Sequence, residues 1–350
     1  MIVFSAATLI PALMIGLGAL NGGVLVWLAL AFMTAVIALG DELTPPTAPG
    51  PLGKGAGTAL SILLALGHFV VLTLVILALA SRIGHLGLGE KLALFSAAGL
   101  FFGQVSNSNA HELIHRAPRL LRALGGWVYI SLLFGHHRSA HLLVHHVRVA
   151  TRDDPASARK GESFYRYVRR AWSGGFRDGA MAETARLRRA GRSTWQHPYI
   201  VYVAGAGLML ALSLTLAGPV GLWAHLSLAG FAQLQLLMSD YVQHYGLERA
   251  DDTSGRPEPV GVRHSWNSPH RLSTALMLNA PRHSDHHIRP GQPFPELDLQ
   301  PGMPTLPRSL PVMSCLALWP RQWRRVMDPR VAALADQHGQ SAAVLAKARD

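Results

Sequence analysis

The chain has 350 residues, 49% of them hydrophobic and only 15% charged, against about 25% charged in ordinary soluble domains. With mean hydropathy above zero, this composition argues against two or three soluble domains and for a membrane protein. The single cysteine, Cys315, excludes a disulfide framework or a Cys-rich metal site, and the net charge of +12 does not point to nucleic acid once its distribution is read.

In chain order, the runs 3–20 and 24–39 are apolar and are split by Asn21-Gly22-Gly23, which predicts a helical hairpin. The first run lacks a basic leader and a clear small-residue cleavage site, so it is read as a span rather than a removable signal. Residues 41–54 are rich in Pro and Gly and read as a loop. The run 58–80 is long enough to cross a bilayer, which takes about 20 apolar residues. The run 92–106 continues into His111-Glu112-Leu113-Ile114-His115. Within the polar, basic stretch 116–192, only the piece 125–135 is apolar. It is too short to span and reads as re-entrant or interfacial. Two more spans, 199–216 and 220–238, break at Gly218-Pro219, and everything after Gly246 is polar and Pro-rich.

Six spans with a cytoplasmic N-terminus place the ends of spans four and six, at His111 and His244, on the cytoplasmic side. Nearly all Lys and Arg then fall on that side too, with Arg82 and Lys91 as exceptions and Lys54 in the 41–54 loop. The expected fold is all-α and integral to the membrane, with about six transmembrane helices and a cytoplasmic helical cap. Its segments are 1–115, 116–197, 198–245 and 246–350.

Histidine carries the chemistry. His111 and His115 form one group, and His141, His145 and His146 a second. His244 stands alone, and His283, His286 and His287 complete nine of the 18 histidines. Imidazoles at i and i+4 on a helix share a face, so each HxxxH pair is expected to reach one metal. An adjacent HH supplies a ligand that turns to a second metal. Nine exceeds what one four-coordinate ion needs, so a two-metal site is expected on the cytoplasmic face. His136 and His137 compete for ligand duty, since His137 and His141 are also i and i+4. His68, His85, His197, His225 and His338 are read as structural. Glu112, Asp240 and Asp285 beside ligand histidines, and His270 upstream of the last cluster, are candidate supports for the imidazoles.

Imidazole suits iron, copper, nickel and zinc alike. An oxygen-activating iron pair reached through an apolar channel explains both the histidines and the spans. HELIH also fits the HExxH zinc-protease motif, but that reading leaves the later clusters without a role. A metal transporter should place ionisable residues within its spans, whereas these clusters lie at or beyond the span ends.

HxxxH, HxxxHH and HxxHH in this order resemble the membrane fatty-acid desaturase and hydroxylase superfamily. Within it, four stretches are similar to the integral-membrane alkane 1-monooxygenase family: Asn109 to Arg116, His145 to Ala156, Asp240 to Leu247 with its His-Tyr-Gly, and Arg282 to His287. The resemblance implies a non-haem di-iron enzyme in which the nine histidines bind two iron ions. It would insert one atom of O2 at a terminal C–H of an apolar substrate taken from the bilayer. Electrons would come from rubredoxin and an NAD(P)H-dependent rubredoxin reductase, and the setting would be the bacterial inner membrane. The chain departs from the family at Arg116, where Lys is usual, at Ala140, where Glu is usual, and at Val144, where Gly is usual. These departures bear on the substrate, and a desaturase or a hydroxylase of another lipid is the alternative.

Overall fold

The apolar runs fold as helices, and glycine, proline and short polar loops end them. In the computed structural model, which describes residues 1–45, 57–251 and 254–347 with side chains to 336, α1 (Ile2–Asn21) and α2 (Val24–Leu43) form the expected hairpin. Gly22 and Gly23 make its turn at φ 66° and 68°, a region that glycine enters without a Cβ penalty. Of the loop expected at 41–54, residues 46–54 lie outside the described residues, and Asp41 to Leu43 belong to α2.

Helix α3 is Thr58–Leu79. The next helix, α4, runs through Leu88–Phe101, a π-helical turn at Phe102–Ser106, and Asn107–Ile114. A short α5 (Arg119–Ser131) follows. Then α6 runs through His137–Ala140, a π-turn at His141–His145, and His146–Arg148. Next come α7 (Phe164–Arg189) and the 47-residue α8 (Pro198–His244). The polar C-terminal part adds α9 (Arg271–Leu276), α10 (His283–Ile288), α11 (Leu310–Ala317) and α12 (Pro320–Lys347). Among the described residues there is no strand, only two isolated bridges.

Helices α1, α2, α3 and α8 are long and apolar enough to cross a membrane. At 1.5 Å per residue α8 extends about 70 Å, far more than one crossing of about 30 Å needs. It breaks at Gly218, whose φ of 69° leaves the helix just before Pro219, so each arm has the length of a span. Many span side chains stay exposed, among them Leu13, Leu63, Leu66, Val70 and Trp223. An apolar outer surface of this kind suits lipid. The fold is therefore all-α and integral to the membrane.

Between the helices, Ile15, Val26, Val75, Leu94 and Phe101 close the core. Hydrogen bonds through buried imidazoles tie the spans together. His68 meets Ser106 Oγ (2.9 Å) on α4 and Ser131 Oγ (2.8 Å) on α5, and His225 meets Ser213 Oγ (2.7 Å) and the Ser131 carbonyl (2.7 Å). Polar side chains buried in an apolar setting hold neighbouring helices by such bonds. Because His68 is midway along α3, the end of α5 dips into the bundle, as a re-entrant helix does.

Close approach between α4 and α5 depends on Gly125. A Cβ there would lie 2.7 Å from Leu113 Cβ and 2.8 Å from the Ala110 carbonyl. The Gly125→Ala variant is expected to lose about 1–3 kcal/mol, read as a lowered thermal midpoint together with lower metal content, because His111 and His115 flank the contact.

The bundle has two distinct ends. At one, Glu90 accepts from Gly23 N (2.6 Å) and Gly87 N (2.8 Å), joining the α1–α2 turn to the start of α4. At the other, α4 and the second arm of α8 deliver His111, His115 and His244, and the C-terminal part packs over them. Asp41 at the end of α2 accepts from Leu272 N (2.7 Å) and Ser273 N (3.2 Å), a carboxylate at the start of α9 that satisfies its free N–H groups. Trp323 of α12 is fully buried against Tyr241 and Tyr245, with ring centroids 5.3 and 5.2 Å apart. Further bonds from Tyr241 Oη to the Glu162 carbonyl (2.7 Å) and from Tyr245 Oη to Asp328 (2.7 Å) hold the end of α8 inside this cap.

Candidate metal centre

Nine imidazoles from four separate segments converge at that end, in two groups. His111, His115, His141, His146 and His286 form the first, and His145, His244, His283 and His287 the second. Within each group one ligand atom per residue lies within 4.8 Å of all the others. The groups adjoin, with the His146 and His287 rings 4.6 Å apart.

Local backbone decides which imidazole goes where. In α4, His111 and His115 are one turn apart and point together, as the i, i+4 rule expects. In α6 that expectation is corrected: His141 and His145 part company. The π-turn His141–His145 hydrogen-bonds five residues back instead of four, and this extra residue aligns His141 with His146 instead. His145 then faces the second group. Both HH pairs divide as expected, His145 from His146 and His286 from His287.

The nitrogen contacts show what fits. His141 Nε2 lies 2.8 Å from His111 Nε2, 3.0 Å from His115 Nε2 and 2.9 Å from His146 Nε2. In the second group, His283 Nε2 lies 2.9 Å from His244 Nε2 and 3.1 Å from His287 Nε2. One ring N–H cannot serve three acceptors, so hydrogen bonding does not explain the first set. Nitrogens placed about 2.1 Å from a shared cation at right angles are about 3.0 Å apart, which matches. His145 Nε2 is buried with no hydrogen-bond partner among the described residues, as a nitrogen reserved for a metal would be.

Electrostatics keeps the ligands in their binding form. Burial first, then the neighbouring imidazoles, hold His141, His146, His283, His286 and His287 well below the usual histidine range, so they are neutral and free to bind a cation. His145 is the exception. Burial alone would lower it, but the Asp154 carboxylate, 2.8 Å from Nδ1, outweighs burial and raises it. Burial would likewise raise Asp154, yet His145, Ser157 Oγ (2.7 Å) and Ala156 N (3.0 Å) hold it below its usual value. With the proton fixed on Nδ1 and donated to Asp154, Nε2 is left to face the second group.

Asp154 is a functional residue the sequence reasoning missed. Two of the three carboxylates nominated instead have other partners. Glu112 pairs with Arg116 (2.9 Å), and Asp285 holds Arg289 (2.5 Å) and Asp298 N (2.9 Å). Asp240 is buried on a wall shared with His137, His141, His145 and Asp154. His270 bonds Ser268 Oγ (3.0 Å). His136 and His137 belong to neither group: His136 packs on Phe134, Trp172 and Phe176, and His137 stacks on Phe134. Asn267 was also missed. Fully buried, it accepts from Ser284 N (2.9 Å) and donates to Ser284 Oγ (2.8 Å) and the Pro304 carbonyl (3.0 Å), seating α10. No motif marks it.

A cavity of about 820 Å³ leads away from the centre. It touches one imidazole of each group, His111 and His283, and runs between α2, α4, α8 and α11 past Met33, Ile37, Leu100 and Phe231. Its size and mostly apolar wall suit a small apolar ligand. Ala140 lies against α7, where Gly179 packs close to its backbone.

Comparison with known proteins agrees with this architecture. The family described as fatty acid desaturase matches residues 91–314. The alkane 1-monooxygenase 1 of Pseudomonas aeruginosa is 31% identical over 322 residues, covering 87% of this chain and 83% of the relative. An alkane 1-monooxygenase of Pseudomonas putida is 35% identical over 253 residues, and one of Ectopseudomonas oleovorans 36% over 245, covering 71% and 68% of this chain. The matches span 62% and 60% of the lengths of those two relatives. With its histidine groups, its apolar spans and this extent of similarity, the chain belongs to the fatty acid desaturase family and, within it, to the alkane 1-monooxygenases.

Proposed function

We propose that the protein is a membrane non-haem di-iron monooxygenase that hydroxylates the terminal carbon of n-alkanes or related apolar chains. The observation that carries this is the placement of two adjoining all-imidazole groups at the inner end of an apolar cavity. His111, His115, His141, His146 and His286 would hold one iron, and His145, His244, His283 and His287 the other. Bound there, the metals supply the oxygen activation that side chains cannot.

The protein's own residues do the rest. The cavity wall holds an apolar chain by burial alone, which aligns it lengthwise without tethering either end. His111 and His283 mark where its terminal carbon stops. Asp154 keeps the His145 proton on Nδ1, and Asn267 keeps α10 in register. Packing of the C-terminal part over the imidazoles excludes bulk water, which limits side reactions. In the net reaction a terminal C–H becomes C–OH. One oxygen atom of O2 enters the product and the other leaves as water, with two electrons from a carrier and two protons from solvent.

The electron carrier in this reading is rubredoxin, reduced by an NAD(P)H-dependent reductase. The arginines of α7 support a negatively charged partner, since complementary charge speeds encounter. The topology is six spans, with each arm of α8 and the apolar part of α4 counted as one, in the bacterial inner membrane. The metal end then faces the cytoplasm, in keeping with the basic residues around it. The zinc-protease reading is disfavoured because its general base, Glu112, is engaged by Arg116.

Metal analysis of detergent-purified protein tests the proposal. About two irons per chain, with octane converted to octanol on adding rubredoxin, reductase and NAD(P)H, is the expected result. One zinc per chain and no turnover would overturn it.

A further inference from the structure

Away from the metal centre, charge gathers where α7 meets the start of α8. Helix α7 ends at Arg189, and Gly191, at φ 61°, turns the chain out of it. A single 3-10 turn, Thr194–Gln196, follows, and Pro198 opens the first arm of α8, which is apolar and long enough to span. His197 fixes this corner. Its Nδ1 accepts from Tyr199 N (3.2 Å), which leaves the ring proton on Nε2. Nε2 then donates to Thr184 Oγ1 (3.3 Å) and the Ala180 carbonyl (3.4 Å) of α7. The last turns of α7 are thereby clamped to the first residues of a span, at the level where hydrocarbon gives way to headgroups.

Arg188, Arg189 and Arg192 are all exposed there, and none has an ion pair or a side-chain hydrogen bond among the described residues. The local carboxylates are engaged elsewhere, Glu183 by Arg186 (2.7 Å) and Asp178 by Arg177 (3.0 Å). The negative end of the α7 dipole gives basic residues in its last turn a local reason, but Arg192 lies beyond the helix. Between Met181 and the first two of these arginines runs a shallow groove of about 540 Å³, floored by Ala180, Thr184 and Ala185. Trp195, two residues before the His197 clamp, is 86% exposed, and Ile200, Val201 and Val203 carry exposed apolar surface on into the span.

One kind of ligand has a counterpart for each of these parts. Guanidinium forks bind phosphate bidentately, an indole settles at headgroup level, and bare apolar side chains on a span lie against acyl chains. We propose that the corner between α7 and α8 binds the phosphate headgroup of an anionic phospholipid. A soluble phosphate would leave Trp195 and the apolar surface below it without a role. An acidic carrier has its own place on α7. Arg166 and Arg169 lie about 30 Å away along the helix, at the end that packs through Phe164 and Tyr167 on Tyr241, just before His244. The lipid site is independent of the hydroxylase reading, since no reacting group takes part in it.

Native mass spectrometry of the whole detergent-purified chain, titrated with equal amounts of phosphatidylglycerol and phosphatidylcholine, counts the bound lipid. Wild type is expected to retain phosphatidylglycerol about tenfold over phosphatidylcholine. The triple variant Arg188→Gln, Arg189→Gln, Arg192→Gln should retain the two alike, and Arg166→Gln with Arg169→Gln should keep the wild-type preference. Arg192→Gln alone removes no side-chain contact within the fold and should lower the preference about twofold or more. Equal retention of the two lipids by wild type would overturn the proposal whatever the variants do. So would a preference that the triple variant and Arg192→Gln leave unchanged, or equal competition by free glycerol phosphate, the mark of a soluble-anion site. A raised KM for rubredoxin in the triple variant, with its lipid preference intact, would give these arginines to the carrier and likewise sink the lipid site.

Discussion

Replacing His141 with alanine is expected to remove about half of the bound iron and to abolish turnover, by three orders of magnitude or about 4 kcal/mol in the barrier. His141 Nε2 is the hub of its group, in contact with His111, His115 and His146, so its loss opens the first site without touching the second. His283→Ala should do the converse, since His283 Nε2 meets both His244 and His287. Metal analysis of the two variants, alone and combined, checks this. One iron should remain in each single variant and none in the pair. Loss of both metals from His141→Ala, with the fold intact by circular dichroism, would show that the nine imidazoles act as one site.

The second large effect belongs to Asp154. The Asp154→Asn variant removes the charge that orients His145, and the second group is expected to bind iron about 10–100-fold more weakly. The first group, which Asp154 does not touch, should keep its affinity. Chelator competition reads the two sites separately, and equal weakening of both would mean that Asp154 acts through the fold. Activity should fall with second-site occupancy and recover when excess iron is supplied, which a misfolded variant would not do.

Much of this was legible before any coordinates. Runs of about 20 apolar residues, ended by Gly22-Gly23 and Gly218-Pro219, specify spans because length and hydropathy suffice for that. The nine histidines stood out by spacing. Their partition did not, because the i, i+4 rule assumes an ordinary α-helix and nothing in Leu142-Leu143-Val144 announces a π-turn. The supporting carboxylate was missed for a related reason. Adjacent helical residues point about 100° apart, so Glu112 next to His111 and Asp285 between His283 and His286 do not share a direction with those imidazoles and pair with Arg116 and Arg289. The carboxylate that does reach an imidazole, Asp154, lies nine residues beyond His145 on a separate loop, where only the fold brings it back. Asp41 at the start of α9 is invisible for the same cause: its partners are more than 200 residues away.

The unequal origins of the two groups set an order for their assembly during synthesis. Four of the five imidazoles in the first group come from residues up to His146, and only His286 arrives late. The second group has His145 alone until His244 emerges, and it is not complete until His287 does. A nascent chain paused after α6 already contains four imidazoles of the first group, whereas the second group has only one. If the two groups bind iron as proposed, the first would be ready to fill well before the second, and the last stretch of translation would complete both.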